Sequence, residues 1–301
     1  MNITKFDPQK LKDNFFMYVV GMRRSGKTTI IKDIIKNSDK KFDEVYLISE
    51  TATLSHDYDD YVKENHIFEL NESEKVLTTI EKQQKAQKNP QLRNSILFIL
   101  DDVVTSDNRD TWDKLAFMGR HLKVHVILLS QSMKAISPLT RKNADYALFS
   151  ASRSYDDIEA FLKQYLTGSS SNDSARQSFI EAMQIYNYVV KEPHVFLVVD
   201  NSAQTRNINE FVFHYKANPE ISKFNIYTGK KQKLENGLKF SDLYKSIKNN
   251  ISVKDIEKNV KRNKRLKSSP TIEQGPRAII PEHVIKTNFI FSRTKKKYDF
   301  A

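Results

Sequence analysis

Eight residues constrain this chain more than any others. Gly21-Met-Arg-Arg-Ser-Gly26-Lys27-Thr28 follows the spacing G-x-x-x-x-G-K-[ST] and stands between an apolar run and a helical pattern. Residues 15–20, Phe-Phe-Met-Tyr-Val-Val, read as a buried strand, and Ile30, Ile31, Ile34 and Ile35 recur at helical spacing after Lys27. A glycine-opened turn feeding a helix N-terminus wraps backbone N–H groups around an anion, the geometry a nucleotide's β-phosphate requires. Lys27 reaches the β and γ phosphates, Thr28 offers a hydroxyl to Mg²⁺, and Gly26 lets the backbone approach closely. The candidate nucleotide-binding set is therefore Gly21, Arg24, Ser25, Gly26, Lys27, Thr28 and Thr29.

A phosphate loop of this kind needs an acidic partner on another strand. Ile96-Leu-Phe-Ile-Leu100 is an apolar strand that ends in Asp101 and Asp102. Asp101 is placed to hold Mg²⁺ through water and Asp102 to polarise an attacking water. An acidic pair after a strand can also be a helix N-cap, and it is the loop upstream that favours the catalytic reading. Gln131 follows the strand at residues 124–129 and would stand at the strand's C-terminal end, where open sheets bind ligands. It could sense the γ-phosphate, orient water or simply close a turn.

Strand and helix patterns alternate along the chain. Strands are expected at residues 45–49, 66–70, 96–100, 124–129, 145–149 and 194–199, with helices at 71–88, 111–122, 155–166 and 176–190. Continuous apolar strands separated by helices imply crossovers and a mostly parallel sheet covered on both faces. The expected fold is an α/β phosphate-loop NTPase of RecA/ASCE type, with residues 1–220 as its core and 221–301 as a basic C-terminal extension. Phe211, Phe213 and Tyr215 alternate as in a half-buried strand, although the same pattern could stack on bases. Weaker signals place a short strand at 223–227 and a short helix at 242–247.

The 301 residues include 49 Lys and Arg against 37 Asp and Glu, a formal charge of +12 that suits a phosphate-backbone partner. Seven of these cations, Lys254, Lys258, Lys261, Arg262, Lys264, Arg265 and Lys267, crowd one short stretch. It reads either as a solvated basic segment or as a nucleic-acid contact. The absence of cysteine excludes disulfides, Cys-ligated metals and thiol nucleophiles, and fits a reducing compartment. No apolar run approaches the roughly 18–20 residues of a membrane span, and the first residues lack a signal-peptide core, so a cytoplasmic protein without a membrane span is expected.

Guanine recognition by small GTPases uses an Asn-Lys-x-Asp element, which is missing in the required register, so ATP is the expected nucleotide. Gly119-Arg120-His121 followed by an apolar strand ending in Gln131 resembles the poxvirus-type DNA-packaging ATPases of large cytoplasmic DNA viruses, in the FtsK-HerA superfamily. The loop at 21–28, the Asp101-Asp102 pair and Arg141-Lys-Asn-Ala-Asp145 fall in that family's order, and the resemblance covers roughly residues 10–200. It implies an ATP- and Mg²⁺-dependent motor that moves double-stranded DNA, without sequence preference, into capsids. The resemblance also implies a homo-oligomeric ring, capsid proteins as further partners, and a location in the viral factory of the host cytoplasm and in the virion. A ring implies an arginine lent across a subunit boundary, for which Arg120 and Arg141 are candidates, with Arg24 as the alternative within the same chain. Arg120 could equally be a helix C-terminal cation. A nucleotide or nucleoside kinase and an ATP-binding assembly scaffold are the competing readings.

Overall fold

The computed structural model describes residues 3–102, 109–167, 173–205 and 207–229. The Gly- and Ser-rich loop expected at 168–172, the short helix expected at 242–247 and the basic stretch at 254–267 lie outside the described residues.

The strands are β1 (Phe16–Val20), β2 (Glu44–Ser49), β3 (Ile67–Phe68), β4 (Ile96–Asp101), β5 (Val124–Ser130), β6 (Tyr146–Ser150), β7 (Val195–Asp200) and β8 (Val212–Lys216). They form one sheet in the order β3-β2-β4-β5-β1-β6-β7-β8. From β3 to β6 every pairing is parallel, and β7 and β8 then add an antiparallel edge. The mostly parallel α/β sheet anticipated from the alternating pattern is the observed one.

The helices are α1 (Lys27–Asn37), α2 (Ala52–Ser55), α3 (Ser73–Ala86), α4 (Arg109–Met118), α5 (Pro138–Asn143), α6 (Tyr155–Leu162), α7 (Asp173–Val189) and α8 (Ile208–Phe211). Side chains alternate across a strand, so each apolar run supplies both faces of the sheet. Met17 and Val19 pack with Ile30, Ile31, Ile34 and Ile35 of α1. Tyr18 and Val20 face the opposite layer, with Trp112 of α4, Phe161 of α6 and Ile185 of α7. Burial on both faces explains why the strands read as unbroken apolar runs rather than as alternating ones.

Several elements differ from their sequence expectation. β3 has two residues because Glu69 and Glu72 form a reciprocal capping box that turns the chain toward α3. The helix expected to reach residue 122 tightens into a 3₁₀ turn at Gly119–Leu122, where Gly119 lies so close to the Val124 carbonyl that a Cβ would sit 3.2 Å from it. The helix beginning at Tyr155 widens into a π turn at Lys163–Thr167. Residues 223–227 make a single bridge, Phe42 to Tyr227, instead of a strand, and bury Ile226 beside α1. Of the three aromatics expected on one half-buried strand, Phe211 instead ends α8, whereas Phe213 and Tyr215 lie on β8 with their rings edge-on to Phe6 and serve the core.

Strand order has a direct consequence for the site. β5 lies between β1, which carries the phosphate loop, and β4, which carries the acidic pair. The C-terminal rim of the sheet therefore presents Asp101, then Gln131, then Gly21, side by side. β7 runs the other way, so its start reaches the same rim, as does the end of β8.

Candidate active site

Gly21 leaves β1 with its amide donating to the Ser130 carbonyl at 3.0 Å, which ties the loop to β5. A Cβ on Gly21 would fall 2.4 Å from Ser25 Oγ and 2.5 Å from Ser150 Oγ, so any other residue here would displace both serine hydroxyls. Gly26 caps α1 with φ +94°, in the left-handed region, and makes no side-chain cap bond. The first amides of α1 are thus left to an anion, and Ser25 Oγ is buried without a partner. A helix start without a side-chain cap, next to an orphaned hydroxyl, is what a bound phosphate group would complete. Lys27, buried, donates to the Gly21 carbonyl at 2.9 Å and lies 3.9 Å from Asp102 Oδ1.

The acidic pair divides into two environments. Asp101 is half-buried at the end of β4, where desolvation raises its pKa and a hydrogen bond from Tyr58 works in the opposite direction. The Tyr58 hydroxyl donates to Asp101 Oδ2 at 2.7 Å. Burial and the Asp101 charge push Tyr58 well above the ordinary tyrosine range, so it remains a donor. Thr28 and Asp101 line the same cavity. One carboxylate and one hydroxyl suit Mg²⁺, which takes few protein ligands and completes its shell with water and substrate phosphates.

Asp102 is exposed and has φ +51°, a left-handed conformation that Asp adopts more readily than most residues. Its Oδ2 accepts from Gln131 Nε2 at 2.9 Å. Lys27 at the start of α1, Asp102 just after β4 and Gln131 just after β5 form one polar chain across the rim. A cavity of about 550 Å³ opens over the loop and is lined from Arg23 to Thr29 and by Asp101 and Asp102. Gln131 borders a smaller adjoining space of about 200 Å³ that shares Asp102.

The candidate arginines separate clearly. Arg24 lines the main cavity with φ +64° and an exposed side chain. Arg120 pairs with Asp145 Oδ1 at 2.6 Å, and Asp145 Oδ2 accepts the Phe16 amide at the N-terminal end of β1. That end is the rim opposite the phosphate loop, about 15 Å away along five strand residues. Within its own chain, then, Arg120 does not reach the loop. Arg141 donates to the Met133 and Ile136 carbonyls and braces the turn that follows Gln131.

Two residues of this site escaped the sequence reading. Tyr58 belongs to a polar, acidic stretch between β2 and β3 in which no spacing rule marks a single tyrosine. In sequence His194 is only the first residue of an apolar strand, yet its ring Nδ1 lies 3.2 Å from the Ser25 carbonyl and its side chain lines the cavity.

The chain is similar to several known proteins. The DNA packaging protein OPG160 of Variola virus is 29% identical over 161 residues, covering 51% of this chain and 58% of that protein. The protein of the same name from Monkeypox virus matches at the same identity over 53% of its length. The chain thus spans little more than half the length of the curated relatives it matches. The solved genome packaging NTPase B204 from Sulfolobus turreted icosahedral virus 2, in complex with ATP-gammaS, aligns at 16% identity with a TM-score of 0.42, over 70% of this chain and 99% of that chain. The sequence profile described as Poxvirus A32 protein matches residues 3–223. That span holds every loop residue, carboxylate and amide gathered at the rim, and the chain belongs to the poxvirus A32 protein family.

Proposed function

We propose that the chain is an ATPase motor that moves double-stranded DNA into viral capsids, working as a ring of identical subunits in the viral factory of the host cytoplasm. The observation that carries the reading is the Lys27–Asp102–Gln131 chain, set beside the uncapped start of α1 and the unpartnered Ser25 hydroxyl. When ATP binds, Lys27 exchanges the Gly21 carbonyl for β and γ phosphate oxygens, and the α1 amides take up the remaining negative charge. Asp102 orients a water and accepts its proton as the new O–P bond forms and the bond from the γ-phosphorus to the bridging oxygen breaks, leaving ADP and phosphate. Gln131 fixes the Asp102 carboxylate toward that water. Thr28 and Asp101 are the residues that would hold Mg²⁺, which supplies charge neutralisation to the phosphoryl oxygens when bound.

A translocating motor must hold DNA through phosphates, because base contacts would stall it at preferred sequences. The net charge of +12 and the basic stretch at 254–267 support this part of the reading. The test is steady-state ATP hydrolysis by the wild-type chain and Lys27→Ala, with and without linear double-stranded DNA. Hydrolysis that duplex DNA stimulates and that Lys27→Ala abolishes is expected. Phosphoryl transfer to a nucleoside or nucleotide, or nucleotide binding without turnover under both conditions, would overturn the motor reading.

A further inference from the structure

The antiparallel edge of the sheet has no role in the phosphate chemistry, yet it reaches the same cavity. His194 at the start of β7 and Lys216, Ala217 and Pro219 at the exit of β8 close the side of the cavity away from β4 and β5. Asp102 and Gln131 fix the γ-phosphate end on the β4–β5 side of the loop. An extended triphosphate that starts there must point its α-phosphate and nucleoside toward β7 and β8.

The His194 ring is positioned by two features. Its Nδ1 sits 3.2 Å from the Ser25 carbonyl, and a Cβ on Gly26 would lie 3.3 Å from the same nitrogen, so the imidazole packs directly on loop backbone that carries no side chain. Its backbone has φ +61°, in the left-handed region, a conformation uncommon outside glycine, and such strain clusters at ligand sites. Beside it Ala217 and Pro219 contribute apolar surface, in contrast to the cations and carboxylates of the opposite end. Lys216 is held by Glu192 at 2.9 Å and is thereby drawn into an ion pair. The cavity's volume of about 550 Å³ lies within the roughly 300–1,000 Å³ of sites that enclose drug-sized ligands.

We propose that His194, Ala217 and Pro219 form the wall that receives the nucleoside end of ATP, with the base lying against the imidazole. This rests on the ATP reading above and adds a second recognition element, independent of the phosphates. Inorganic tripolyphosphate separates the two, since it presents the phosphates without the nucleoside.

The experiment measures the affinity of the full chain for ATP and for tripolyphosphate by calorimetry, in the wild type, His194→Ala, Ala217→Trp and Lys27→Ala, with melting curves to verify folding. Loss of a stacking partner should weaken ATP by at least about fivefold in His194→Ala. Ala217→Trp should fill the nucleoside space and weaken ATP further, and both variants should keep wild-type affinity for tripolyphosphate. Lys27→Ala should weaken both ligands. ATP affinity unchanged in both wall variants overturns the wall while leaving the nucleotide reading intact, and so does equal weakening of both ligands in these variants, which would mean that His194 acts only by shaping the loop. A wild-type chain that binds neither ligand overturns the nucleotide reading and the wall with it.

Discussion

Asp102→Asn separates nucleotide binding from hydrolysis with little disturbance to the fold. Asn has the same shape and tolerates the left-handed φ of +51° as Asp does, and its Oδ1 can still accept from Gln131 Nε2. Folding stability should therefore change by no more than about 0.5 kcal/mol. Asp102→Ala, by contrast, loses the side chain that eases this conformation and should cost about 1–2 kcal/mol. The lost charge acts on binding in the opposite direction. Asp102 Oδ1 stands 3.9 Å from Lys27 Nζ and its side chain is 39% exposed, so water-like screening applies and the pair is worth about 1 kcal/mol. Freed from that competitor, Lys27 should hold ATP up to about fivefold more tightly, an advantage that shrinks as salt rises. Turnover should fall by about 10² to 10⁴, the usual contribution of a positioned base. Calorimetric titration with ATP and single-turnover hydrolysis read the two effects separately. Hydrolysis within tenfold of wild type, or loss of binding in step with turnover, would refute the base assignment and make Asp102 a structural or metal-holding residue.

The remaining expectations concern other parts of the molecule. Arg24 lies in the cavity, whereas Arg120 sits at the opposite rim, so Arg24→Ala should lower turnover by about 10³ or more if the same chain supplies the arginine. Recovery of activity on mixing Arg120→Ala with Lys27→Ala subunits would instead assign that role to Arg120 of a neighbouring subunit. His125 is buried between Phe15 and Phe42, and desolvation lowers its pKa from 6.5 to about 4. The unfolded chain then binds the extra proton between these values, so the stability contributed by neutral His125 is complete above pH 6.5 and is lost as pH falls toward 4, by up to about 3 kcal/mol. Urea midpoints for His125→Phe should fall less steeply over this window than those of wild type, and parallel pH profiles would contradict the assignment. Truncation after residue 250 should spare basal hydrolysis and reduce the slope of log DNA affinity against log salt by about 0.9 for each phosphate contact removed. An unchanged slope in a folded truncation would place the DNA contacts within residues 1–250.

The strands were legible in the sequence because burial on both faces requires unbroken apolar runs, as in residues 96–100 and 124–129. The phosphate loop was legible for a different reason: it must bring glycines, a lysine and a hydroxyl to fixed points around a single anion. Strand order was not, since crossovers of similar length could have set β4 directly beside β1. Only the observed order brings Gln131 against Asp102. Tyr58 and His194 were hidden because each reaches the site from a loop whose path depends on distant packing. The Asp145 carboxylate on Arg120 likewise depends on two strand starts that meet only in the folded sheet.

The central claim is that ATP turnover at this rim moves the chain along duplex DNA. The most direct test is displacement of a triplex-forming oligonucleotide from linear double-stranded DNA by the wild-type chain in the presence of ATP and Mg²⁺, with Asp102→Asn as the control. The account predicts ATP-dependent displacement by the wild type and none by Asp102→Asn despite its retained ATP binding. Duplex-stimulated hydrolysis that leaves the third strand in place would contradict it.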